Sequence, residues 1–301
     1  KQAIYRDMSK AGDAEIQWGD FKRMTTSTFL FALDQKSKKR LWSYQQGIVI
    51  NPAIAAGDGK LFFVASRNPA ALQDEDGLIT LEVLLAKNST FLVALDVASG
   101  RTVWERSVDF SFAHIIYASY AEGTLLVSGS TNREGRAWYN LYAFSAADGH
   151  FMWSADHPNN KKGVGGDHGE QIHHPVIVNG LAYCEPCIYR LKTGERVNPR
   201  GEPEHWTMQE RGGCGTMSGS PSCLFFRDNH PSLYDLAKGR TLKINTVSRP
   251  GCWINIIPAG GLVLIPEASS GCTCAYPLQT SLAYRPRSEE RRVGKECRSR
   301  W

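Results

Sequence analysis

The chain has 301 residues, a formal charge of +5 and a pI of about 8.7, with 42% hydrophobic and 22% charged residues. That is the composition of a soluble globular protein with ample core. The charge excess is mild and no basic cluster interleaves with aromatics in the patterned region, which argues against nucleic-acid binding; no apolar run approaches the roughly 18–20 residues of a spanning helix.

Residues 1–28 are polar and weakly patterned, with Trp18-Gly19 as the one aromatic-turn signal. The chain starts at Lys1 without Met or an export-signal pattern, so an export signal is expected upstream. From Thr28 a phrase begins that occurs three times: FLFALDQKSKKRLW, FLVALDVASGRTVW and NLYAFSAADGHFMW. In each, an alternating run ends in Leu33, Leu95 or Phe144, a polar turn follows, and a tryptophan stands nine residues later, at Trp42, Trp104 and Trp153. The phrase predicts strand, turn, strand. Weaker copies at Tyr189–Gly194 and Tyr234–Gly239 keep the turn and lose the tryptophan.

A second kind of hairpin alternates with the first. Gly57-Asp58-Gly59, Glu122-Gly123, Asn179-Gly180 and Gly260-Gly261 each separate two short apolar runs, a strong local hairpin signal. A less regular case lies around Ser220 to Phe226. Taking Lys38, Gly100, Gly149, Gly194 and Gly239 as equivalent gives spacings of 62, 49, 45 and 45 residues. Two hairpins make four strands, and four strands per 40–50 residues is the unit of a β-propeller blade. The wide first spacing calls for an insertion, placed at residues 66–90, where periodicity fits a short helix and an extra hairpin equally.

The expected fold is therefore all-β: a β-propeller of four-stranded antiparallel blades, as an incomplete ring of a seven- to eight-bladed parent. The expected organisation is one propeller over 1–287, with a partial first blade over 1–45 and blades near 46–108, 109–160, 170–205, 213–246 and 247–287. Residues 288–301 (SEERRVGKECRSRW) turn abruptly to dense charge, five basic and three acidic residues, and resemble translated vector or adapter sequence. They are set aside as a non-native tail, which lowers the charge of the remainder to +3. In a blade, Ala32, Ala94 and Ala143 suit close approach of neighbouring sheets, the tryptophans fill the wider gap near the rim, and Asp34, Asp96 and Asp235 accept turn N–H groups.

On these residues the pattern A-L-D-x-x-[ST]-G-x-x-x-W resembles the repeat of pyrroloquinoline-quinone (PQQ)-type β-propellers, a superfamily of quinoprotein alcohol dehydrogenases and the lipoprotein of the outer-membrane β-barrel assembly machinery. The resemblance covers roughly residues 28–287. The run RPGCWINIIPAGGLVLIPEASSGCTCAYPLQTSLAYRP is also similar to the closing segment of a group of bacterial propeller proteins of unassigned activity. It implies an exported, periplasmic or cell-envelope protein. For the quinone enzymes it further implies an adjacent Cys-Cys disulfide, a Ca²⁺ held by Glu, Asn and Asp, and an Asp base. The chain has no Cys-Cys pair, and Glu267 and Asn255 are conceivable Ca²⁺ ligands without a matching Asp.

Seven cysteines precede the tail: Cys184, Cys187, Cys214, Cys223, Cys252, Cys272 and Cys274. Cys184-Glu-Pro-Cys187 has the gap of a metal knuckle or redox pair, and Cys272-Thr-Cys274 is a tighter pair whose thiolates can share a metal. Structural disulfides or buried thiols, a metal site and redox catalysis are all open. The loop from Gly163 to His174 gathers Asp167, His168, Glu170, His173 and His174, a metal or acid–base set in one reading and a glycine-rich connection in the other. The candidate metal ligands are thus Cys184, Cys187, Cys252, Cys272, Cys274, His168, His173 and His174. Arg211–Gly215 offers a backbone anion site without a phosphate-loop ending. The expected function is a binding or scaffolding module that recognises a protein or small-molecule ligand at the propeller mouth; the alternative is a quinone- or metal-dependent oxidoreductase.

Overall fold

Two turn chemistries recur from sheet to sheet. The computed structural model describes residues 25–74, 80–113, 115–133, 136–158, 174–198, 216–228, 230–251, 255–267 and 280–285. In four hairpins both central residues have positive φ: Asp58-Gly59, Glu122-Gly123, Asn179-Gly180 and Gly260-Gly261. That pair of angles defines the type I′ turn, whose twist matches that of two antiparallel strands. The second turn opens with an acceptor side chain. Asp34 accepts from the Ser37 N–H at 2.6 Å, Asp96 from that of Ser99 at 2.8 Å, and Asp235 from those of Ala237 and Lys238 at 3.0 Å each. Each turn closes four residues on at a left-handed position, Lys38, Gly100, Gly149, Gly194 or Gly239.

The strands form six antiparallel sheets in chain order. Sheet I pairs β2 (Leu30–Leu33) with β3 (Arg40–Tyr44). Sheet II contains β4 (Ile48–Gly57), β5 (Lys60–Ser66), β6 (Thr90–Asp96) and β7 (Thr102–Ser107), with the two-residue β1 (Thr26–Ser27) added beyond β4. Sheet III is β8 (Ile116–Ala121), β9 (Thr124–Arg133), β10 (Arg136–Ser145) and β11 (Phe151–Pro158). Sheet IV is β12 (Val176–Val178), β13 (Leu181–Cys184), β14 (Cys187–Arg190) and β15 (Arg196–Val197). Sheet V is β16 (Ser218–Gly219), β17 (Cys223–Asp228), β18 (His230–Asp235) and β19 (Arg240–Lys243). Sheet VI joins β20 (Ile257–Ala259), β21 (Leu262–Ile265) and β22 (Leu282–Tyr284).

The first strands of successive sheets touch one another: β4 with β8, β8 with β12, β12 with β16 and β16 with β20. Sheets stacked in sequence on their first strands are the blades of a β-propeller. Each interval between neighbouring sheets holds its own apolar layer, such as Phe62, Ala94, Trp104, Leu125 and Phe144 between sheets II and III. The insertion in sheet II is two short helices, α1 (Pro69–Gln73) and α2 (Leu81–Leu84). Asn68 caps α1 by accepting from the Ala70 N–H at 3.1 Å and donates to the Val83 carbonyl at 2.7 Å, while Ala71, Leu81 and Leu84 are buried.

The tryptophans act between sheets. Trp42 Nε1 donates to the Val97 carbonyl at 2.8 Å, Trp104 to that of Ala146 at 3.1 Å and Trp153 to that of Leu191 at 2.9 Å. Each acceptor lies in the polar turn of the next sheet. The ring also covers that turn's left-handed glycine: a Cβ on Gly100 would stand 2.5 Å from Trp42, on Gly149 2.6 Å from Trp104, and on Gly194 2.6 Å from Trp153. A bulge accompanies each latch, as the register shifts at Ala32/Leu33, Ala94/Leu95 and Ala143/Phe144. Sheets IV and V, without the tryptophan, pair Ile188 with Val197 and Leu233 with Leu242 without a shift. One extra residue increases local twist and re-aims a side chain, here the indole toward the next blade.

Candidate functional site

Every sheet has two ends. The type I′ turns and the turns closed at Lys38, Gly100, Gly149, Gly194 and Gly239 leave one, the turn end. The turns between second and third strands, and the connections from sheet to sheet, leave the other, the connection end. Cys184, Cys187, His174, Asn255 and Glu267 all stand at the connection end of their strands. Of the other candidates, His168, His173, Cys252, Cys272 and Cys274 lie outside the described residues, as do Cys214, Asp167, Glu170 and the Arg211–Gly215 stretch.

The structure brings Cys184 and Cys187 together. They are directly opposed where β13 turns into β14, flanking Glu185-Pro186, and each is 1% exposed. Burial pushes the Cys184 thiol well above its ordinary range, with Cys187 adding to the effect, and burial raises Cys187 as well. Beside them stand His157, which the sequence reading passed over, and Tyr189, which it took only as the start of a repeat copy. Tyr189 contacts the Cys187 sulfur and its hydroxyl lies 2.8 Å from His157 Nδ1. The His157 ring sits between Tyr139 and Tyr189, with centroids 5.6 and 5.7 Å away. Burial, with the Arg196 charge adding to it, holds the imidazole down at about 4, so it is neutral at physiological pH. A signal for His157 was available: on a strand, residues 153, 155 and 157 share one face, and Trp153 predicts that face to be buried.

His174 lies elsewhere. Its ring is 4.6 Å from Tyr117, and burial lowers its pKa. Asn255 Oδ1 accepts the Thr216 hydroxyl, and the Glu267 N–H donates to the Ser281 hydroxyl at 3.0 Å. Among the described residues no three His, Cys, Asp or Glu side chains gather as a metal-binding set.

A cavity of about 480 Å³ opens at the turn end between sheets V and VI, lined by Cys223, Phe225, Leu233, Ile244, Leu262 and Tyr284 among others. Strand pairing explains its place. Phe225 pairs with Leu233 as Phe62 pairs with Ala94. Trp104 fills this level between sheets II and III, but the unbulged Leu242 stands opposite Leu233. The cavity is where a latch is missing.

A family model described as outer membrane protein assembly factor BamB matches residues 26–205. The chain belongs to this BamB-type PQQ-repeat family. The BamB-type match takes in sheets I to IV, all three indole latches and the Cys184–Cys187 hairpin. No curated protein sequence matches the chain significantly. Among solved structures, BamB from Moraxella catarrhalis is similar at 13% identity and a TM-score of 0.48, over 80% of this chain and 61% of its own. Quinohemoprotein alcohol dehydrogenase from Comamonas testosteroni is similar at 12% identity and 0.42, over 73% and 40%. The enzyme ADHIIG from Pseudomonas putida HK5 is similar at 14% identity and 0.45, over 79% and 48%. The chain thus spans less than two thirds of each of these proteins. Among the described residues no helix is long and apolar enough to cross a membrane.

Proposed function

We propose that the chain is an exported binding and scaffolding module of outer-membrane protein assembly, which recognises a protein partner at the connection end of its blades. The observation that carries this reading is the run of three indole latches across sheets I to IV, inside the segment that matches an assembly-factor family. Each latch ties a strand of one blade to a turn of the next, so the blades keep fixed spacing. Further support comes from the connection end itself. Arg67 makes a two-pronged ion pair with Glu105 at 2.5 and 2.8 Å, and Arg133 reaches Asp156 at 2.6 Å while lying over Trp138. Arg133 and Asp156 stay exposed, which leaves planar charged groups on offer to a partner.

Reconstitution separates this reading from a quinone enzyme. The purified full-length protein is incubated with PQQ and Ca²⁺, desalted, and assayed for dye-linked alcohol oxidation. A scaffold returns no retained quinone and no turnover. Retained quinone with alcohol-dependent dye reduction would overturn the proposal.

A further inference from the structure

Cys184 and Cys187 are Cα partners across the end of a hairpin. Opposed residues of an antiparallel pair lie about 4.5–5.5 Å apart at Cα with side chains on one face, within the roughly 4.4–6.8 Å that a disulfide bridges. Both sulfurs enter the apolar layer between sheets III and IV, with Leu126, Tyr139, Trp153 and Tyr189. We propose that Cys184 and Cys187 are joined by a disulfide that closes while the β13–β14 hairpin is still open to solvent, before sheet IV docks on sheet III. The oxidant is a small or protein-borne disulfide. One cysteine thiolate attacks it to give a mixed disulfide and release a first thiol; the second cysteine then displaces the other. Two S–H bonds are lost, one S–S bond forms within the chain, and the two electrons and two protons end on the two thiols of the reduced oxidant.

The order of events follows from burial. In the docked protein neither sulfur is reachable, and both thiols are held protonated, so neither attacks a disulfide. In the separate hairpin both are solvated with only two residues between them, and a hairpin forms in about 1–10 μs, well ahead of sheet–sheet docking in a protein of this topology. The same burial then shields the closed bridge from small thiols. The inference depends on the exported reading only for its natural oxidant; the chemistry stands or falls without it.

One peptide reads the outcome. Lys162 and Arg190 bracket tryptic peptide 163–190, in which Cys184 and Cys187 are the only cysteines. The full chain is unfolded and reduced, refolded in mixed oxidised and reduced glutathione, then denatured, alkylated and digested. The peptide is expected two hydrogens lighter than the dithiol and without alkyl groups. Protein refolded first in reductant and then moved to the same buffer is expected to keep two alkylatable cysteines. Two alkyl groups after oxidative refolding would overturn the bridge, and equally fast closure in prefolded protein would overturn its timing. In a Cys184→Ser variant, Cys187 is expected to take alkyl groups under both regimes; blocked alkylation there would assign the bond to another cysteine. Bridge formation in vitro combined with a dithiol in protein acid-trapped and alkylated directly from whole cells would overturn the exported reading that supplies the natural oxidant, whereas failure to close in vitro would overturn the pairing itself.

Discussion

His157 is 3% exposed and its imidazole is held neutral, with folded pKa about 4 against an ordinary value of 6.5. Between these values the unfolded chain binds the proton and the folded chain does not. The stability His157 confers is therefore complete above the unfolded value and drains away as pH falls from 6.5 toward 4. The span corresponds to up to about 3 kcal/mol. His174 is lowered in the same direction and adds to the slope. The groups facing His157 are Tyr139, Tyr189, Asp156 and Arg196. Urea midpoints of wild type and His157→Gln, taken between about pH 7.5 and pH 4.5, check this: the variant is expected to lose less stability across the window. Parallel pH profiles would contradict it. The sequence showed Cys184 and Cys187 as a pair, because their spacing is local. It did not show His157 against Tyr189, because that contact depends on which strand of sheet III faces which strand of sheet IV.

The indole latch accounts for a joint choice of residues on two neighbouring blades. Trp104→Ala removes a buried indole and its hydrogen bond, at a cost of about 3–5 kcal/mol. Gly149→Ala is costly twice over, since φ is +74° and the new methyl would meet the Trp104 ring at 2.6 Å. Gly239 shares the left-handed backbone, but its nearest neighbour is the Tyr234 hydroxyl at 3.7 Å, so Gly239→Ala bears the backbone cost alone. Urea unfolding is expected to place Gly149→Ala at least about 1 kcal/mol below Gly239→Ala, and to show Trp104→Ala/Gly149→Ala milder than the sum of its parts. Equal costs at the two glycines with full additivity would refute the latch. Most of this element-scale design was legible beforehand, because turns are local chemistry: Asp58-Gly59 and Asn179-Gly180 announce their hairpins. The destination of the indole was not, since a ring that fills the gap near the rim does not reveal which carbonyl its N–H meets, and the structure places that carbonyl on the following turn. Residues 66–90 stayed ambiguous because two helices of five and four residues are too short to show a period, and Asn68 capping decides them.

At the scale of the whole molecule, alternation of two hairpin types predicted stacked four-stranded sheets, and contacts between successive first strands make them propeller blades. Trp42, Trp104 and Trp153 latch sheets I to IV, whereas the cavity between sheets V and VI occupies a place without an indole. Sheet I meanwhile exposes Phe31, Leu33 and Leu41. Function was less legible than fold, because a repeat records how blades hold each other and a partner surface is composed of ends contributed by several of them. The central claim is that this surface lies at the connection end. A photo-crosslinking residue placed at Arg133, on that end, and at Asp58, on the turn end, tests it in intact cells. The account predicts adducts with outer-membrane assembly proteins from position 133 and none from position 58. Adducts from position 58 alone, or none from either, would contradict it.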